Sequence, residues 1–146
     1  MLRLDRLSVL KNVYPGGDRE GEMVAAFDCT LHGKGGAAAS IDTAMHGLLD
    51  GAHVDHPHLD SGIAFATSDD GEEPTAKAFG EMVVWVPWRR PDWQLGLDIA
   101  AIKGANPLAI GCILGDHGIT AWGDASAEAQ AHSLWIIDTA EKFIET

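Results

Sequence analysis

Residues 109–122 constrain the fold more than any other stretch of the chain. Residues 109–114 are an apolar run, Gly115-Asp116-His117-Gly118 is a glycine-bounded tight turn, and residues 119–122 return as a second apolar segment. Two such runs joined by a short turn read as a β-hairpin, and their near-continuous apolar character marks them as buried. Met82-Val83-Val84-Trp85-Val86-Pro87 reads as another buried strand. A helix is expected between these strands, over residues 93–103, with Asn106-Pro107 as its stop. Strands mixed with helices in this order give an α/β layered domain, and the hairpin makes its sheet at least partly antiparallel.

The rest of the chain supplies helices. Leu2, Leu4, Leu7, Val9 and Leu10 recur at near-helical spacing until Pro15-Gly16-Gly17 breaks the pattern. A second helix is expected over 20–31, with Met23, Val24 and Phe27 on one face, followed by the loop Gly33-Lys34-Gly35-Gly36. Ser40 is read as the cap of a short helix over 41–49, with Asp42 in its first turn, where the helix dipole favours a carboxylate. Residues 53–58 read as a short strand or strand end. The apolar stretch 63–66 follows and ends in the acidic turn Ser68-Asp69-Asp70-Gly71. Helices are expected around 74–79 and over 126–144. No internal repeat or low-complexity linker interrupts the 146 residues, which suit one domain.

Charge narrows the function classes. Twenty-two acidic residues against ten basic ones give a net charge of −12. No basic patch or stripe marks a nucleic-acid binder, and no basic amphipathic helix marks a membrane surface. The acidity suits a soluble surface or a high-salt host, and an anionic substrate would need a local cation to offset long-range repulsion. Cys29 and Cys112 form no CxxC pair, so reduced thiols are expected. The first residues are too charged for a signal peptide, and no apolar run approaches the ~18 residues of a membrane span. The expected location is the cytoplasm.

Histidine is the chemically notable residue, with seven in the chain. His56 and His58 are two apart, and on a strand such residues share a face. Two imidazoles there can share one cation, and zinc favours nitrogen ligands at about 2.0–2.1 Å. His117, in the glycine-bounded turn after a buried strand, is the candidate third ligand. Spacing alone does not separate such a site from surface or hydrogen-bonded core histidines.

The residues around the histidines add a resemblance. Ser40-Ile41-Asp42-Thr43-Ala44-Met45-His46, His53-Val54-Asp55-His56-Pro57-His58, Leu114-Gly115-Asp116-His117-Gly118-Ile119 and Trp122-Gly123 occur in this order. So do Val84-Trp85-Val86-Pro87-Trp88-Arg89-Arg90-Pro91 and the final helix. The set resembles the class II aldolase/adducin family over nearly the whole chain. The likeness is nearest to the aldolase part of bifunctional rhamnulose-1-phosphate aldolase/short-chain dehydrogenase proteins. It implies a three-layer α/β/α domain with a mixed, largely antiparallel sheet, and a homotetramer with active sites near subunit contacts.

Carried over, the family's metal histidines fall on His56, His58 and His117, with zinc the implied ion. Its acidic residue falls on Asp42, either as the proton-transfer group or as a further metal ligand; a helix first-turn carboxylate is the structural alternative. Ser40 is the candidate substrate-binding residue, with the loop Lys34-Gly35-Gly36 beside it. The implied activity is metal-dependent aldol cleavage of a sugar ketose 1-phosphate, such as rhamnulose 1-phosphate, to dihydroxyacetone phosphate and an aldehyde. The alternatives are a pentulose-phosphate epimerase-like metalloenzyme and a non-catalytic, adducin-like interaction module.

The sequence departs from the family pattern in two ways. Most of the family's glycine- and serine-rich phosphate loops precede the segment seen here, so the domain is expected to be N-terminally partial and to turn over poorly alone. Pro57 also stands between the paired histidines, where the family more often has proline after them. No GxGxxG dinucleotide fingerprint occurs. His46 is expected to pack in the core or behind a ligand. Asp116 is read as a turn residue or a partner of a metal histidine, Arg89-Arg90 as a solvated loop, and the tryptophans as core or interface residues.

Overall fold

The computed structural model describes residues 1–33, 35–51 and 53–146. Lys34, a candidate for phosphate contact, lies outside the described residues. In chain order the elements are α1 (Leu4–Val9), α2 (Glu20–Ala26), α3 (Thr43–Leu48), β1 (His53–Asp55), α4 (Asp60–Ala66), α5 (Glu72–Phe79), β2 (Val83–Val86), α6 (Trp93–Ala105), β3 (Gly111–Leu114), β4 (Gly118–Gly123) and α7 (Ser126–Ile144). They fall into two compact units. Met1–Leu49 with Arg89–Ala100 form the first, and Asp50–Trp88 with Ala101–Thr146 form the second. No helix among the described residues is long and apolar enough to cross a membrane.

The first unit is built on one apolar cluster. Leu7, Met23, Phe27, Ala44, Leu48 and Trp93 are all buried, and the Phe27 and Trp93 rings lie 5.9 Å apart. Gly96 allows the close approach of α6 to α3, because a Cβ there would lie 2.7 Å from the Ala44 carbonyl carbon. The start of α6 is capped from a distance. The buried Glu20 carboxylate accepts from the amides of Trp93 (3.0 Å) and Gln94 (3.1 Å), and the Tyr14 hydroxyl donates to it at 2.6 Å. Those amides have no partner within the helix, so a carboxylate there satisfies orphan donors and meets the positive end of the dipole.

The second unit holds a four-stranded mixed sheet of order β1-β4-β3-β2. β1 and β3 run antiparallel to β4, whereas β2 and β3 are parallel, joined through α6. Val83, Ile113, Ile119 and Ala121 form a core cluster with Phe65 and Ala66 of α4, Phe79 of α5, and Ile136 and Ala140 of α7. Two glycines permit the close packing. A Cβ on Gly62 would strike the Ile119 side chain at 2.3 Å, and one on Gly111 would strike Ile136 at 2.6 Å. Helix α6 ends where expected, with the Asn106 side chain donating to the Ile102 carbonyl at 2.9 Å.

Several local readings shift. The apolar stretch 63–66 lies in α4, and its packing on β4 decides its state. The helix expected over 20–31 ends at Ala26 and tightens into a 3₁₀ turn over Phe27–Thr30, where the Thr30 hydroxyl donates to the Phe27 carbonyl. Ser40 does not cap a helix at 41. α3 begins at Thr43 with Asp42 in the N-cap position, and the Ser40 hydroxyl instead engages Asp42 itself. His46 is exposed while Met45 beside it is buried, since adjacent helical residues point about 100° apart. Arg89 and Arg90 stay in the expected exposed loop, with acids nearby, Asp98 at 2.8 Å and Asp92 at 3.8 Å.

Candidate metal centre

The β1–β4 register pairs His53 with Gly123, Val54 with Trp122 and Asp55 with Ala121. Extending it brings His56 opposite Thr120 and His58 opposite Gly118. The extension holds beyond the end of β1, because the Ile119 amide donates to the Pro57 carbonyl at 3.2 Å. Proline has no N–H to give, but the pairing at this position uses only its carbonyl. Alternation then puts His56 and His58 on one face and sends Asp55 to the other. There Asp55 accepts from the Ser133 hydroxyl of α7 at 3.1 Å.

His117 arrives on the same face through the β3–β4 turn. The turn is tied down by three main-chain bonds. The Gly115 amide donates to Val86, Asp116 to Ala66 and His117 to Leu114, at 2.8, 2.7 and 3.0 Å. Asp116 adopts φ 52°, a left-handed conformation that aspartate tolerates better than most side chains. Gly118 supplies clearance. A Cβ there would lie 2.8 Å from His58 Cδ2 and 3.2 Å from the Pro57 carbonyl oxygen.

The three imidazoles converge. His56 Nε2 lies 2.8 Å from His58 Nε2 and 3.2 Å from His117 Nε2. The rings stand at 73–89° to one another, and one nitrogen from each lies within 4.8 Å of the others. His56 Nδ1 is 2.8 Å from the Ile119 carbonyl oxygen. A carbonyl only accepts, so Nδ1 carries the proton and Nε2 the lone pair. Zinc–nitrogen bonds of about 2.0–2.1 Å at tetrahedral angles separate ligand nitrogens by about 3.3 Å. The two nitrogen separations and the lone pair on His56 Nε2 therefore fit a divalent cation with three imidazole ligands. His56 and His117 are half-buried and His58 is exposed.

Asp42 and Ser40 lie in the first unit. Asp42 is half-buried; its amide donates to Ser40 Oγ at 3.1 Å, and the Ser40 hydroxyl donates to Asp42 Oδ2 at 3.0 Å. Sequence reasoning missed four participants in the histidine site: the Ile119 carbonyl, the Gly118 clearance, Thr120 and Cys112. Thr120 Oγ1 lies 3.2 Å from His56 Nδ1, and Cys112 is paired directly across from Thr120. Burial pushes the Cys112 thiol up to about 12, against the pull of hydrogen bonds from the Thr120 amide and hydroxyl. It stays protonated and inert. Only the strand register could have revealed these neighbours.

Known proteins share this fold to different extents. The Class II Aldolase and Adducin N-terminal domain matches residues 17–144. The N-terminal class II aldolase domain of a conserved protein from Thermoplasma acidophilum superposes with a TM-score of 0.83 at 26% identity. That alignment covers 98% of this chain and 65% of the other. An aldolase II superfamily protein from Pseudomonas syringae shares the fold, with a TM-score of 0.58 at 21% identity over 70% of this chain and 44% of its own. The uncharacterized oxidoreductase YuxG of Bacillus subtilis (strain 168) is 35% identical over 105 residues. Those residues are 72% of this chain but only 15% of YuxG. The chain, with its mixed α/β fold, belongs to the class II aldolase and adducin N-terminal domain family.

Proposed function

We propose that this chain is a zinc-dependent, class II aldolase-like lyase. In this reading it cleaves, with low activity on its own, a sugar ketose 1-phosphate of the rhamnulose 1-phosphate type to dihydroxyacetone phosphate and an aldehyde. The observation that carries the reading is the convergence of three imidazole nitrogens with the His56 tautomer fixed as a ligand. His56, His58 and His117 would hold the ion, which supplies Lewis-acid stabilisation of the negative charge that develops on the substrate oxygens. Asp42 is the proton carrier. Ser40 donates to its Oδ2 and so fixes the carboxylate plane, which leaves Oδ1 to take the proton of the substrate hydroxyl. As the carbon–carbon bond breaks, the hydroxyl carbon becomes the aldehyde carbonyl. The electron pair stays on the ketose fragment, and the proton from Asp42 completes that product.

The same reading makes the protein a homotetramer. The exposed Trp88 and Trp135 are the side chains suited to bury at a subunit contact. The free thiols of Cys29 and Cys112 suit a reducing cytoplasm.

Two measurements test the proposal. Metal analysis of the purified chain should find one zinc per chain, and loss of zinc from His56→Ala should follow. Aldehyde release from a ketose 1-phosphate should disappear in Asp42→Asn with zinc retained. Zinc loss in that variant would make Asp42 a ligand, and epimerised pentulose phosphate without aldehyde would replace the lyase by an epimerase.

A further inference from the structure

Behind the histidines the sheet hides a short polar chain. Cys112 and Thr120 pair directly across β3 and β4, and both are fully buried. His56 Nδ1 reaches two oxygens at once, the Ile119 carbonyl at 2.8 Å and Thr120 Oγ1 at 3.2 Å. The carbonyl sets the direction of the whole chain. It only accepts, so Nδ1 donates, and Thr120 Oγ1 must accept the second share of that proton. The hydroxyl hydrogen of Thr120 is then directed away from His56, and Cys112 stands directly across from Thr120 on β3.

We propose that Thr120 is a positioning residue for His56: its hydroxyl fixes the imidazole plane that aims Nε2 at His58 and His117. The proposal rests on the metal-binding reading above. One acceptor alone leaves the ring free to rock about the line from Nδ1 to that acceptor. A second acceptor on a different residue removes this freedom. Thr120 is held in turn, since it sits on β4 between the core residues Ile119 and Ala121. A valine at 120 would keep the branched shape and lose the oxygen. A serine would keep the oxygen and lose a methyl group.

The test uses the full chain and titrates Zn²⁺ and Co²⁺ against a chelator of known affinity. Thr120→Val should weaken metal binding roughly 10–100-fold, the usual effect of removing a partner of a ligating histidine. It should also shift the visible absorption of the cobalt form. Thr120→Ser should restore both. Thr120→Val binding like wild type while wild-type protein binds one metal would overturn this proposal and leave the metal reading standing. Wild-type protein that binds no metal would overturn both. Should Thr120→Val fail to fold, imidazole ¹H–¹⁵N spectra of metal-free wild-type protein decide. A His56 Nδ1–H tautomer in slow exchange supports the hydrogen-bond chain, and an Nε2–H tautomer overturns it.

Discussion

Gly118→Ala separates the fold of this protein from its proposed metal site. The backbone at Gly118 lies outside the left-handed region, so alanine meets no torsional obstacle there. Side-chain crowding is the obstacle. The new Cβ would lie 2.8 Å from His58 Cδ2, against an ordinary carbon–carbon contact of about 3.5 Å, a shortfall of about 0.7 Å. His58 is exposed, so its ring swings outward rather than straining the sheet. Metal sites tolerate displacements of about ±0.2 Å, so a shift of this size removes His58 as a ligand. Metal affinity should fall at least tenfold, about 1.4 kcal/mol. Stability in the metal-free state should change little, because the gain of about 0.4–1 kcal/mol from restricting the unfolded chain is offset by the 3.2 Å approach of the new Cβ to the Pro57 carbonyl oxygen. Zinc competition titration and urea unfolding of the metal-free protein read the two quantities. Adding His58→Ala to Gly118→Ala should weaken binding no further, because both act through one ring. Wild-type affinity in Gly118→Ala would refute the clearance argument.

Three further outcomes follow from the same coordinates. Ile119→Ala should cost about 2–5 kcal/mol in urea unfolding, since Ile119 is fully buried in the sheet core, yet its carbonyl stays in place for His56 and zinc affinity should fall less than in Gly118→Ala. Asp116→Val should cost about 1–2 kcal/mol by the same assay, because a β-branched side chain is poorly accommodated at φ 52°. Burial raises the Asp92 carboxyl above its ordinary 3.8, opposed by the Trp93 amide and aided by the charge of Glu20. Its protonation therefore favours the fold below about pH 3.8, and that contribution is lost as pH rises through the higher folded value. Asp92→Asn should flatten the stability profile just above pH 3.8, where the raised carboxyl titrates; a profile parallel to wild type would count against it.

The hairpin, the strand at 83–86 and helices α6 and α7 were legible in the sequence because each is an apolar or periodic run bounded by glycine, proline or asparagine. Local competition misled elsewhere. Ser40 has the chemistry of a helix cap, but its hydroxyl closes a two-residue turn with Asp42, an alternative that serine offers the backbone in general. His46 was misplaced because its burial depends on the phase of α3, which a six-residue helix barely specifies. The grouping of His56, His58 and His117 came from family resemblance, since their spacing alone is common. Their neighbours were invisible for a physical reason. Thr120, Gly118 and the Ile119 carbonyl meet His56 and His58 only through the register of β1 on β4, across about sixty positions of chain. Nothing local encodes that register.

The core sets the register. Along β4 the residues alternate, Ile119 and Ala121 toward α4 and α7, Gly118 and Thr120 toward the histidines. A slip of one residue would turn the whole set over, exposing Ile119 and burying polar groups against apolar helices. Ile113, Ile119 and Ile136 are fully buried, and each contributes roughly 1.5–3 kcal/mol through that burial. The slip is therefore opposed by several kcal/mol that have nothing to do with metal. The proposed ligand geometry follows from where the apolar side chains must go: the joint burial of Ile113, Ile119 and Ile136 sets the register, the register and its main-chain pairs place the Ile119 carbonyl, and that carbonyl leaves His56 Nε2 as the electron-pair donor. The candidate metal centre then needs little strain of its own, and its one left-handed residue, Asp116, sits in the turn that delivers His117.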